Sequence, residues 1–306
     1  MSSKHRHQQT TTAGRQNTIL VTKPRYIIPT QVADKVFLVK PVAVAVSPQD
    51  GKIVVADQEL SQLILFDRKY KFIKVIGRHG DGECEFDTVK AVTISRDGDI
   101  IVADSGNNRI QVLTPSGEFV SMFGKEGGGV GEFREMSDIV VDSQNRIYIC
   151  DCGNNRIQIL DITGSFVREF GCTGNKMVDV PHPQGISVCP STGNIILADT
   201  SNKRIQVFYA TGKHRVTIGW GVSDDDGLLE PVSVRAGPDW TIYVADPTQG
   251  RVCVYKSDGS LVMEVGHNGN LDNGEQFEPR YLAINREAKE LIVVDSLNKR
   301  IIVFKA

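Results

Sequence analysis

Lys90, Arg280 and Tyr281 are the residues of this 306-residue chain whose types best suit a ligand. Two cations can hold phosphate oxygens, and an aromatic ring beside a guanidinium can stack an unpaired base. Internal comparison singles them out. The chain repeats one unit, and the residues aligned with Lys90 and Arg280 are Val42, Ser137, Gln184 and Val232. The next position reads Ala43, Ala91, Asp138, Gly185, Ser233 and Tyr281, so Tyr281 is the large exception among small residues. What every copy shares builds the fold; what one copy alone carries is available for recognition. On that reasoning Arg78, Lys125, Arg134, Lys176, His182, Lys203 and Lys299 join the candidate binding set, all from loops or turns expected on one face. His79, Trp220 and His267 share those loops, whereas Asp224-Asp225-Asp226 would repel phosphate nearby.

The unit that must position these residues recurs six times. Its aspartates are Asp57, Asp104, Asp151, Asp199, Asp246 and Asp295, spaced 47, 47, 48, 47 and 49 apart. Near-constant spacing means a solenoid or a propeller. Within a unit, apolar runs of four to six residues alternate with turns such as Arg96-Asp97-Gly98 and Pro115-Ser116-Gly117, which builds an antiparallel meander. Four strands per unit and six units predict an all-β, six-bladed propeller of four-stranded antiparallel blades. A glycine follows the aspartate by 20 residues in five units (Gly77, Gly124, Gly171, Gly219, Gly266), but the sixth unit stops at Ala306 before that point. Counting back from Phe37, aligned with Phe86 and Phe133, places Ile28 where the missing glycine would stand. Thr18 to Ile28 is therefore expected to supply the last strand and close the ring.

Five positions after the aspartate stands Arg109, Arg156, Arg204, Arg251 or Arg300, with Gln62 in the first unit. An Asp–Arg pair across the turn between second and third strands is expected to be scaffold. Asn107, Asn154, Asn202 and Asn298 are assigned to left-handed turn positions. Lys203 and Lys299, one residue further on, are not demanded by the turn. Residues 1–17 read as a disordered basic tail or linker, in which His5 and His7 are weak metal ligands at best; residues 18–306 form the propeller.

Catalysis is not expected. The innermost strands read VAVAV, AVTI, DIVV, GISV, VSVR and LAIN, with Asp138 the one acid at a channel mouth and no cluster to support it. No cofactor and no metal site is expected. The six cysteines form no C-x-x-C pair and read as reduced, small hydrophobes in a cytoplasmic setting. No run is apolar enough to span a bilayer. The formal net charge of −2 argues against wholesale wrapping of nucleic acid but allows a local basic face.

The pattern D-S-G-N-N-R-I-Q-V, P-S-G-E-F, F-G at Asp104 to Gly124, repeated from Asp151 and Asp199, resembles the NHL repeat. The whole looks like the propeller of TRIM-NHL proteins. That resemblance implies a monomeric platform binding single-stranded, U-rich RNA in mRNA 3′ regions, with protein partners of repression complexes. Its alternative is a protein-interaction module serving as substrate receptor of an E3 ubiquitin ligase. Ligase activity itself would need RING and B-box modules, which this chain does not show.

Overall fold

The computed structural model describes residues 19–306 apart from 22, 172–179, 220–226, 238, 267–268, 272–273 and 288. Six antiparallel sheets follow one another along the chain. Blades one to six occupy residues 41–76, 89–123, 136–171, 185–218, 233–265 and 279–305. In the first five, each strand pairs with its sequence neighbour. The fold is the expected six-bladed propeller.

The burial pattern explains why these residues form blades. Each blade lies between two others, so its middle strands are covered on both faces and read as unbroken apolar runs rather than alternating ones. Leu291 to Val294 in blade six and Ile53 to Ala56 in blade one are fully buried. The outermost strands have one solvent side, and Phe119–Phe123 alternates between half-buried and exposed residues.

Closure follows the expectation in kind and departs from it in extent. Blade six has three strands from the C-terminal end and takes its fourth, Tyr26–Ile28, from the other end of the chain. That strand is antiparallel to Arg300–Lys305, with Ile28 opposite Ile301. The earlier segment Ile19–Val21 does not belong to this blade. It pairs in parallel with Leu261–Val265, the outer strand of blade five. Two neighbouring blades are thus both held by the start of the chain.

The count from Phe37 is one residue out. Phe37 is exposed, and Leu38 fills the interior as Phe86 and Phe133 do. The backbone agrees: Leu38 N–H donates to Thr30 O as Phe133 N–H donates to Lys125 O. Pro29, not Ile28, therefore stands where Gly124 stands in blade two. A proline tolerates this because its φ need not be positive, whereas Gly124 has φ +104° with Phe133 ring atoms where a Cβ would sit.

The repeated aspartate serves the loops joining the blades. Its buried carboxylate accepts backbone N–H groups 17 residues upstream: Lys40 for Asp57, Asp87 for Asp104, Arg134 for Asp151, Leu229 for Asp246 and Glu278 for Asp295. The arginine extends the staple. Arg156 Nε lies 2.7 Å from Asp151, and its Nη2 donates to Gly129 O and Glu132 O in the preceding loop. Gln111 and Gln158 do the same from two positions further on. These charged groups are buried because each has partners.

Candidate functional site

The interblade loops and the turns between second and third strands share one face. Its cations owe their exposure to a backbone irregularity. The pairing register slips at the start of the innermost strand between Pro41 and Ala43, Val89 and Ala91, and Pro279 and Tyr281. The skipped residues are Val42, Lys90 and Arg280. A bulge turns the extra residue out of the ladder, and Lys90 and Arg280 are accordingly exposed on the face.

The same slip sends Tyr281 the other way. Its ring is 5 % exposed and lies in the axial channel, not on the face. The phenol donates to Asp138 Oδ1 at 2.5 Å, across the ring from blade six to blade three. The Arg235 guanidinium stands 4.5 Å from the centre of the tyrosine ring and 2.9 Å from Asp138 Oδ2. Asp138 also accepts the N–H groups of Ile139 and Ile186. The expected stacking plane is therefore already covered by a guanidinium, and Asp138 is not isolated. The small residues Ala43, Ala91, Gly185 and Ser233 leave the space that Tyr281 fills, which is why it is the large exception. Burial pushes the Tyr281 phenol well above its ordinary value. Burial works against charge on Arg235, but the Asp138 carboxylate more than offsets this and holds the guanidinium above its usual range. The triad is a locked plug across the axis.

Several candidate cations carry counter-charges. Arg78 lies 2.6 Å from Glu85, Lys125 3.2 Å from Glu132, and Arg280 2.7 Å from Glu278 and 3.4 Å from Glu230. Glu85 and Glu132 also accept the N–H groups of Gly82 and Gly129. These backbone bonds, followed by the neighbouring cation, hold both carboxyls below their ordinary value. The acids were missed as site residues, although the pattern G-x-G-x-x-E-F at Gly80–Phe86 and Gly127–Phe133 marks them. Lys90, Arg134, Lys203 and Lys299 make no ion pair with a described residue. Lys176 lies outside the described residues, as do Trp220, His267, the Asp224–Asp226 triplet and the N-terminal tail.

Lys203 and Lys299 do occupy a demanding turn position. The residue four after the aspartate has positive φ in all six blades: Ser61 49°, Asn108 51°, Asn155 51°, Lys203 53°, Gly250 55° and Lys299 51°. The left-handed residue is thus one later than expected. Asn107, Asn154, Asn202 and Asn298 instead donate their amides to the aspartate.

His182 is exposed with its Nδ1 3.6 Å from Cys152 Sγ. Burial first, then the Glu135 and Asp151 carboxylates, push the Cys152 thiol up to about 11. A thiol this weak is no nucleophile at neutral pH. No two described cysteines form a disulfide, and among the described residues no group of three His, Cys, Asp or Glu could hold a metal ion. Nor is any described helix long and apolar enough to cross a membrane.

On the opposite face the channel opens as a cavity of about 880 Å³, bounded by the turns between first and second strands and reaching in to Arg235. Arg96, Arg146 and Arg286 stand on its wall with Asp142 and Glu287. None was singled out from the sequence. Arg235 is the charge in the innermost strands that was passed over, legible only as the last letter of VSVR.

The molecule is a closed six-bladed propeller with a plugged axis, a loop-bearing face and a cavity behind it. Known proteins agree on that fold. Residues 83–173 match a family described as a 6-bladed beta-propeller (DUF5128), and residues 181–208 match the NHL repeat. No curated protein matches. Among solved structures the chain is similar to a catalytically inactive virginiamycin B lyase from Staphylococcus aureus with quinupristin, at 14 % identity and TM-score 0.62, covering 87 % of this chain and 95 % of that one. A streptogramin B lyase has 15 % identity and TM-score 0.59, with 91 % and 96 % covered. A chain of the mitotic checkpoint complex has 11 % identity and TM-score 0.65, with 100 % and 98 % covered. At such identities the likeness is one of fold. An NHL propeller suggests a module for protein or RNA interaction, and the lyases show that this shape also serves enzymes.

Proposed function

We propose that the loop-bearing face docks a protein, with its centre at the joint between blades six and one. The observation that carries this is apolar exposure gathered at one place. Phe37, Leu60 and Leu297 are 43, 40 and 50 % exposed. Their three segments are tied together. Thr30 Oγ1 donates to Lys299 O, Ser296 Oγ to Pro41 O, and Asp57 holds the N–H groups of Val39 and Lys40. Lone exposed apolar residues are ordinary, but a group flanked by free lysines suits a partner segment that pairs apolar side chains with carboxylates. The interleaved Arg78–Glu85, Lys125–Glu132 and Arg280–Glu278 pairs also suit a protein surface better than a uniform polyanion. The resemblance to TRIM-NHL propellers gives such docking a cytoplasmic setting and the form of a ligase substrate receptor. The channel plug supports a binding role over a catalytic one.

RNA binding is the second reading, favoured by Lys90, Arg134, Lys203 and Lys299. One experiment separates the two. Affinity capture after nuclease treatment should retain a partner that Leu297→Asp with Phe37→Asp releases. The same protein is titrated with oligo(U) at two salt concentrations. Capture abolished by nuclease, together with oligo(U) binding lost in Lys90→Ala with Arg134→Ala, would replace docking by RNA recognition. Its salt slope would fall by about 0.7 per phosphate contact removed.

A further inference from the structure

We infer that the cavity behind the plug is a binding site for a small organic anion with an apolar body. It lies on the face away from the loops, so it is independent of the docking surface. Its volume of about 880 Å³ lies in the range that holds a small molecule. Its depth comes from small residues on the innermost strands: Ala45, Ser187 and Ala283 line it where larger side chains would fill the axis. Its floor is closed because Arg235 is held by Asp138, Ile186 O and Val234 O beneath the Tyr281 ring. Val44, Val92, Ile139 and Val188 stand on the wall between its polar residues, which gives an apolar body somewhere to bury.

The charges select the sign. Two of the four lining arginines have carboxylate partners, Arg235 with Asp138 and Arg146 with Asp142 at 2.6 Å. Arg96 and Arg286 have none among the described residues, although Glu287 lies on the same rim. The Arg286 side chain is open to solvent yet stands within the concave mouth. Burial holds its guanidinium below its ordinary value, the state of a cation that lacks a counter-charge. A guanidinium fork pairs with carboxylate or phosphate oxygens through two parallel hydrogen bonds. Thr93, half-buried on the wall, adds a hydroxyl with no partner among the described residues. The occupant is thus an anionic head held at the mouth by Arg286 and Arg96, with an apolar portion pointing toward Arg235.

Four probes of one chain length test this by calorimetric titration: octanoate, octyl phosphate, octanol and octylamine. At least one anion should bind saturably at one site, with the amine at least tenfold weaker. The stronger of octanoate and octyl phosphate names the head group. Arg286→Met should weaken that anion about tenfold and leave octanol unchanged. Ala283→Trp should fill the cavity and abolish binding of all probes, with melting behaviour compared to show that the disc is intact. Should Ala283→Trp fail to fold, Arg286→Met with Arg96→Met carries the test. Leu297→Asp, on the other face, should change nothing, so this site can fail or stand apart from protein docking. The inference is overturned if neither anion saturates, if the amine binds as well, or if the arginine variants bind as the parent does.

Discussion

Blades three and five answer one structural demand with different side chains. In blade three, Asp151 accepts the Arg134 N–H, the Asn154 amide, Arg156 Nε and the Gln158 amide. In blade five, Asp246 keeps the backbone bonds, from Leu229 at 2.8 Å and Glu230 at 3.0 Å. Its arginine lacks the Nε link: Arg251 pairs with the buried Glu264 and donates to Gly227 O. The glutamine position holds Cys253, fully buried. What blades three and five share with blades one, two and six is the carboxylate's grip on the incoming backbone; in blade four the matching N–H, that of His182, donates to Asn155 Oδ1 instead. Only the Nε link to the aspartate differs: Arg156 likewise pairs with an acid 13 residues on, Glu169, and donates to the loop carbonyl 24 residues back, Glu132 O, so the arginine stays anchored in either blade. The left-handed turn residue varies. Gly250 shares its φ with Ser61, Asn155 and Lys203, so the angle alone does not require glycine. Gly250 is needed because Gly269 Cα lies 2.2 Å from where its Cβ would be.

The strongest test of the comparison is Asp151→Ala. Asp151 is fully buried, and its loss strands Arg156 Nε and the Arg134 N–H and takes one of two acceptors from the Asn154 and Gln158 amides. Removing one partner of such a cluster should cost about 3–4 kcal/mol, read as a fall in the urea midpoint at unchanged slope. A cost near that of an ordinary lost hydrogen bond would mean that the cluster is decoration.

Asp246→Asn should cost less, about 1 kcal/mol, because one oxygen still accepts a backbone N–H and no arginine is stranded. Its pH dependence sharpens the contrast. Burial raises the Asp246 pKa above 3.8, against the lowering effect of the Leu229 and Glu230 N–H groups. A folded-state pKa above the unfolded one makes protonation favourable in the fold. That contribution is full below about 3.8 and is lost as pH rises through the folded value. The deficit of Asp246→Asn against the parent should therefore be larger near pH 3.5 than at pH 7. Urea titrations at the two pH values check this, and a deficit that grows toward neutrality would show that Asp246 prefers its charge.

The ring itself was legible because repetition is a long-range signal: six aspartates at near-constant spacing cannot be placed by local propensity alone. The N-terminal closure was legible for the same reason, since blade six was one strand short. What failed were positions where the period is broken by a residue. The bulge at Pro279–Tyr281 reverses which of two adjacent side chains meets solvent, and nothing in the letters Arg-Tyr shows that slip. Tyr281 was correctly marked as singular but placed on the face; it is singular because it crosses the axis to Asp138. The counter-charges Glu85 and Glu132 went unread for the opposite reason. They repeat, and repetition was taken as structural, although a structural carboxylate still neutralises the cation beside it.

The smallest expected effect concerns the turn. Lys203 holds φ 53° where Asn108 and Asn155 hold 51° in blades two and three. A lysine in this region carries the Cβ-to-carbonyl crowding that asparagine relieves with local hydrogen bonds. Lys203→Asn should therefore stabilise the protein by about 0.5 kcal/mol, read from the urea midpoint. The lysine head group makes no ion pair with a described residue, so no compensating loss is expected. The same variant bears on function. A stabilised protein that loses affinity for a partner or for oligo(U) would mean that Lys203 is retained for its charge at a conformational cost. A stabilised protein with unchanged binding would assign blade four to scaffold alone and leave recognition to the joint of blades six and one.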